Sequence, residues 1–397
     1  MRALLASFFL LFTACGVQFT PETLVNALRI MAVSAEPPEV APGEPTTLSV
    51  LFGDPQRVGQ PNTIIWVGCE PDPLDRSRTA CNDASVLIKP STITNYPEGL
   101  KLLGFSKTAT YSATPGVFDV LPPDDLIRKN GSIGQVIAIV IAEEVPVTLM
   151  GDELKNVFER IEKKELPTAI ALTRIVVSQK EQKNKNPVIS TLTFDGAPLP
   201  VGARLQVKAG QKVSLGVEVP DSSRETFVEY REAGPVEKRE TVVGAWYSSG
   251  GRFSQERFDV TDSTPTVFTA PGSAEFPEDP VPEKRTAQLW LVVRDNRGAQ
   301  AYQQFRYFVC DESLPTPVVR TITAPASATD PVIVAGDDMA RALDVVIGDK
   351  ALVNGSYSSA QGGFVGFLPE LAPGTYPVTV RGQNCSSTTT GLTFTVP

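Results

Sequence analysis

The sequence predicts an all-β chain: three tandem β-sandwiches, with one short helix in the first. Three observations predict it. The 397 residues include 34 Pro and 30 Gly, and uninterrupted helical patterns are few, which favours many short strands joined by turns. Two stretches, PGEPTTLSV (42–50) and AGQKVSLGVEV (209–219), place a Gly turn before apolar residues that alternate with period two. That alternation marks a half-buried strand. Each is followed by a strand with a central Trp, IIWVGC (64–69) and GAWYSSGGRF (244–253), and then by strongly β-branched runs. A chain of this length is too long for one core, so several domains are expected.

The first unit is expected over 27–178. Its Trp66 strand precedes the runs GQVIAIVIA (134–142) and TAIALTRIVVS (168–178). Between those runs, GDELKNVFERIEKKELP (151–167) places Leu154, Val157, Phe158 and Ile161 at helical spacing. Gly151 and Pro167 bound this helix, whose apolar stripe is expected to lie on the sandwich as a connection or, alternatively, to dock a partner. SQKEQKNKNP (178–187) is almost free of apolar residues, so 179–186 reads as a linker.

The second unit runs over 187–311. The order WYSSGGRF, TVFTAP (266–271) and LWLVVRDNRG (289–298) resembles bacterial immunoglobulin-like domains. That resemblance implies a core Trp at 246 and a tight final turn over Asp295–Gly298; Trp66, central in the corresponding strand of the first unit, and Trp290 are also expected in the core. It is a resemblance of architecture and carries no catalytic signature. The third unit, 312–397, contains ALDVVIGDKALVNG, LPELAPGTYPVTV and GLTFTVP. LPELAPGTYPVTV resembles the penultimate strand of the IPT/TIG family, which implies a turn at Pro373-Gly374 and inward Tyr376, Val378 and Val380. The fold class is thus tandem immunoglobulin-like β-sandwiches, the last IPT/TIG-like.

The chain opens MRALLASFFLLFTACG. Arg2 gives a positive start, and the apolar run to Ala14 is shorter than the roughly 20 residues of a membrane-spanning helix. A short apolar core ending in small residues describes an export signal, here 1–14. Leu11 to Cys15 resembles the bacterial lipobox, with Phe12 where the pattern prefers Leu. The resemblance implies lipid on Cys15, palmitate among the acyl chains, a tether over 15–26, and a membrane partner reached through that lipid. Gly16 after the cysteine implies the outer membrane.

Four cysteines remain, and an even number in an exported chain suggests two disulfides with three possible pairings. Position favours Cys69–Cys81 and Cys310–Cys385; four free thiols are the alternative. No CxxC spacing and no histidine supports a zinc site. The absence of histidine also removes the Ser-His-Asp and Cys-His nucleophiles. Glu70, Asp72, Asp75 and Asp83 gather in one loop but match no calcium pattern. Asp124-Asp125, Glu143-Glu144 and Asp337-Asp338 are neighbours in sequence, and neighbours on a strand point apart. With no phosphate loop or serine elbow, the sequence reads as non-enzymatic, with no cofactor and no metal. A net charge of −9 repels phosphate backbones and speaks against nucleic acid. What remains is a lipid-anchored envelope protein that binds or adheres through a protein or polysaccharide partner, or a structural accessory of an envelope assembly.

Overall fold

A computed structural model of the chain describes residues 21–74, 100–145, 152–262, 264–325, 327 and 330–396. Cys15, Cys81, Asp75, Asp83 and the expected signal over 1–14 lie outside the described residues. The structure is all-β, with tandem immunoglobulin-like sandwiches.

The first sandwich contains β1 (Arg29–Glu36), β2 (Glu39–Val40), β3 (Pro45–Gly53), β4 (Thr63–Cys69), β5 (Leu100–Gly104), β6 (Thr108–Ser112), β7 (Ser132–Ile141) and β8 (Thr168–Val177). Its sheets are ordered β1-β3-β6 and β2-β8-β7-β4-β5. Trp66, Tyr111, Phe118 and Leu48 fill the space between them. The second holds β9 (Thr191–Phe194), β10 (Ala197–Pro198), β11 (Leu205–Val207), β12 (Lys212–Glu218), β13 (Thr226–Arg231), β14 (Gly234–Arg239), β15 (Val242–Ser248), β16 (Arg252–Phe253), β17 (Arg257–Asp259), β18 (Thr266–Thr269), β19 (Thr286–Asp295) and β20 (Gln300–Val309). Its sheets are β10-β9-β12-β18-β16 and β11-β20-β19-β15-β17, and β13-β14 stands apart as a hairpin. Trp246, Phe268 and Tyr307 are fully buried between the two sheets.

The third sandwich has β21 (Val318–Thr323), β22 (Val332–Asp337), β23 (Ala342–Ile347), β24 (Lys350–Ala351), β25 (Val353–Ser358), β26 (Gly363–Phe367), β27 (Gly374–Gly382) and β28 (Ser387–Val396). Its sheets are β21-β22-β26-β25 and β24-β23-β27-β28. Val334, Phe364, Val378 and Phe394 form its core.

Where strict alternation gives way to a continuous apolar run, both faces of the strand are covered. In β7, Val136, Ala138 and Val140 face the sandwich core, while Ile137, Ile139 and Ile141 face outward. Helix Asp152–Glu162 covers that outer face with Val157 and Phe158. In β19, Leu289, Leu291 and Val293 face the core, while Trp290 and Val292 meet Val25, Met31 and Leu51 of the first sandwich. In β23, Val345 and Ile347 face the core, and Val346 and Leu343 meet the second sandwich.

Four features differ from the sequence expectation. A second helix, Leu126–Asn130, is present; five residues are too few for a readable period. Asp125 caps it by accepting from the Ile127 amide at 2.9 Å. The expected tether does not run free to residue 26: Thr23 and Val25 are buried and exchange main-chain hydrogen bonds with Ser248 at 2.9 and 2.7 Å. The expected linker 179–186 is irregular but docked, because its Asn184 is buried and its amide donates to Glu39 at 2.8 Å. Trp290 is buried, but toward the first sandwich and outside the core of its own. It lies across Gly53, where a Cβ would come within 2.6 Å of its ring.

Candidate functional site

We label Leu126–Asn130 α1 and Asp152–Glu162 α2. A cleft of about 1060 Å³ opens between the first sandwich at α1 and the second at the β13–β14 hairpin. The hairpin belongs to neither sheet of its sandwich and leans on α1. Asn130 mimics a strand residue there: its side-chain amide donates to the Tyr230 carbonyl at 2.6 Å and accepts from the Tyr230 amide at 2.9 Å. Lys129 sits 4.9 Å from the centre of the Tyr230 ring.

The floor is built on Arg297, at the tip of the β19–β20 hairpin. Its guanidinium donates to Glu39 at 2.7 Å and to Glu240 at 2.9 Å. It also lies over the Phe227 ring at 4.7 Å, a cation–π contact. Glu39 belongs to the first sandwich and further accepts from the Ser178 hydroxyl at 2.6 Å. Glu240 stands at the base of the hairpin and accepts from the Glu225 amide at 2.9 Å. One arginine therefore ties the first sandwich, the final hairpin and the protruding hairpin together. Its turn is held by Asp295, which accepts from the Arg297 and Ala299 amides at 2.9 and 2.8 Å.

Burial pushes the Glu240 carboxyl above the ordinary glutamate range, and the charge of Asp295 adds to it; the Glu225 amide and Arg297 oppose the push. Burial likewise raises Asp295, against hydrogen bonds from Asn184 and from its own turn. Lys180 is held below the usual lysine range by burial, which outweighs the pull of Glu39. These shifts follow first from burial at the cleft floor. Toward the opening, Asp124, Glu229, Glu232, Lys238 and Asn296 offer polar atoms to solvent.

A second set of polar contacts locks the first two sandwiches beside the cleft. Ser34 donates to the Gln300 carbonyl at 2.8 Å, Tyr302 to Ser49 at 3.0 Å, and Asn186 to the Ala35 carbonyl at 2.6 Å. The second and third are joined by the Cys310–Cys385 disulfide. Arg204 pairs with Asp344 at 3.1 Å, and Arg381 donates to the Arg204 carbonyl at 2.6 Å.

Of the residues singled out in the sequence, the Asp295–Gly298 turn lies in the cleft floor, and Asp72, Asp124 and Asp125 line its wall. Trp66 donates to the Ser106 carbonyl at 2.8 Å within the first core. Cys69 is disulfide-bonded, and its partner lies outside the described residues. Glu70 accepts from Lys101 and from the Thr114 amide, so it is committed to local structure. The adjacent acidic pairs do not converge: Asp125 caps α1, Glu143 lies 3.9 Å from Arg160, and Asp337 is held by Arg320. Among the described residues no three His, Cys, Asp or Glu side chains come together as metal ligands. Glu39, Glu240 and the β13–β14 hairpin are the elements that sequence reasoning missed. The hairpin left one signal, the β-prone TFVEY (226–230) just ahead of Gly234-Pro235. Glu39 left none, since its partners come from 139 to 258 residues away.

No protein-family model matches the chain, and no curated protein matches it. Among solved structures it is similar to the SGBP-B of a Bacteroides ovatus mixed-linkage glucan utilization locus, in complex with a heptasaccharide. That likeness has 13% identity over 54% of this chain and 48% of that one, at a TM-score of 0.18. The SGBP-B of a Bacteroides uniformis xyloglucan locus gives 15% identity over 51% and 48%, at 0.17. The three N-terminal domains of the bacteriophage RB49 outer capsid protein Hoc give 7% over 92% and 95%, at 0.19. The chain spans about half the length of the two SGBP-B proteins. At these scores the sheets of the chain itself carry the fold assignment.

Proposed function

We propose that the chain is a non-enzymatic, lipid-anchored protein of the bacterial cell envelope, held at the outer membrane through Cys15, that binds a protein or polysaccharide partner. The observation that carries the reading is the cleft between α1 and the β13–β14 hairpin. Its walls come from two sandwiches locked to one another, so its shape is set before a partner arrives. Preorganised sites of this kind lose little on binding. The non-enzymatic part rests on the floor, where Glu39 and Glu240 pair with Arg297 and Asp295 accepts from the amides of its own turn, so these carboxylates serve the structure. No helix among the described residues is long and apolar enough to cross a membrane, and the attachment proposed is the lipid on Cys15.

The experiment is retention on immobilised envelope polysaccharides, with parallel capture from native membranes. Both are run with wild type and with the exposed Glu232→Lys, Lys238→Glu double variant. Loss of retention with unchanged melting supports the cleft; retention equal to wild type refutes it. The two locked junctions favour a second reading, a strut within an envelope assembly. A strut in the periplasm is protected from protease added to intact cells, whereas a surface binder is cut.

A further inference from the structure

The strand β8 has an open edge along most of its length. Its partner β7 pairs along its whole length, from Thr168↔Ile141 to Val177↔Ser132. On its other side β2 covers only Val176 and Val177, and no other described strand pairs with it. The Ala142 amide donates to the Pro167 carbonyl at 2.9 Å, which sets the alternation of the ladder. Ala169 and Ala171 therefore turn their peptide groups toward β7, and Ile170 and Leu172 turn theirs to the free edge.

The side chains on this edge are apolar and uncovered. Ile170 is 58% exposed and Leu172 is 52% exposed. They stand opposite Ile139 and Ile137 of β7, on the outer face that α2 covers over β7 and β4 but not over β8. From Thr168 to Thr173 there is no charge. Natural edges are blunted by charges, prolines or bulges. Here β17 carries Arg257 and Asp259, β10 carries Pro198, and β28 is interrupted about Gly391, whose φ is 74°. The β8 edge has none of these between Thr168 and Thr173.

We propose that β8 pairs with β8 of a second copy of this chain, antiparallel about a two-fold axis at Ala171. The occupant follows from self-complementarity. Pairing requires that residues with free peptide groups face one another, and this register sets Ile170 against Leu172 of the second copy, and Leu172 against Ile170 of the second copy. Each pair exchanges two main-chain bonds, about four in all. The same register places the two large apolar side chains side by side on one face, as an isologous contact demands. The five-stranded sheets of two copies then join into one, and Ile170 and Leu172 of both copies form a shared apolar stripe between the α2 helices.

The test is sedimentation velocity of the chain from residue 21 onward over a wide concentration range, with wild type, Leu172→Pro and Leu172→Lys. Proline at 172 removes only an amide that points to the free edge, so the β7 ladder keeps its bonds. A concentration-dependent dimer is expected for wild type and its loss in both variants, each folded by circular dichroism. Mixing Ile170→Cys and Leu172→Cys chains is expected to give a cross-linked dimer under oxidation. A wild type that stays monomeric at every concentration overturns the proposal, as does a dimer that survives both substitutions. So does the absence of the mixed cross-link when a dimer is present.

Discussion

Replacing Arg297 with Met tests the architecture of the cleft floor. The substitution keeps most of the volume of the side chain and removes its charge. Glu39 and Glu240, with side chains 2% and 0% exposed, lose their cation, and Phe227 loses the guanidinium over its ring. Breaking one partner out of a buried ion pair costs about 3–5 kcal/mol, against the roughly 5–15 kcal/mol that holds a typical domain. The loss has a pH signature. Glu240 is already raised by burial, and Arg297 is one of the groups that restrain it. A carboxyl with a raised pKa binds its proton more tightly folded than unfolded, so its destabilising effect is absent below the unfolded value. That effect grows as pH rises toward the folded value and is complete above it. Without Arg297 the folded value climbs further, and each pKa unit is worth about 1.4 kcal/mol. Equilibrium denaturation in urea, followed by tryptophan fluorescence, should show a deficit of about 3–5 kcal/mol near neutral pH that narrows as the pH is lowered to about 5. A deficit under about 1 kcal/mol, or one that is the same at both pH values, refutes the assignment of Arg297 as the compensating charge.

Four further outcomes are expected, the first three from the packing. Trp246→Ala should cost about 3–5 kcal/mol and unfold the second sandwich, whereas Trp290→Ala or Gly53→Val should release the first sandwich from the second, splitting one calorimetric transition into two; an unsplit melt at the wild-type temperature contradicts the contact. Cys310→Ser opens a loop of 75 residues, and the chain-entropy account puts the loss at about 4 kcal/mol; non-reducing peptide mapping that finds either cysteine free or joined elsewhere contradicts the pairing. Cys15→Ser should move the protein from the membrane fraction to the soluble one, and a variant that still fractionates with membranes, beside a wild type that takes up no labelled fatty acid, removes the anchor.

The strands of the three sandwiches were legible in the sequence because alternation is a local property: a strand with one dry face writes period two wherever it lies. Trp246 and the Asp295–Gly298 turn were legible for the same reason, since both depend on a few consecutive residues. The runs GQVIAIVIA, LWLVV and ALDVVI were legible as strands rich in β-branched residues. What they could not announce was the cover. For β7 it is a helix from the same sandwich, for β19 it is the first sandwich, and for β23 it is the second. Trp290 looks the same in sequence whether it fills a core or a junction, and only its seat over Gly53 decides. The cleft floor is further still from sequence. Glu39, Ser178, Glu240 and Arg297 read singly as ordinary surface residues, and their pairing requires chain segments up to 258 residues apart to meet. Hydrophobic periodicity is set by the neighbours of a residue along the chain; the partner of a buried charge is set by which surfaces fold against each other.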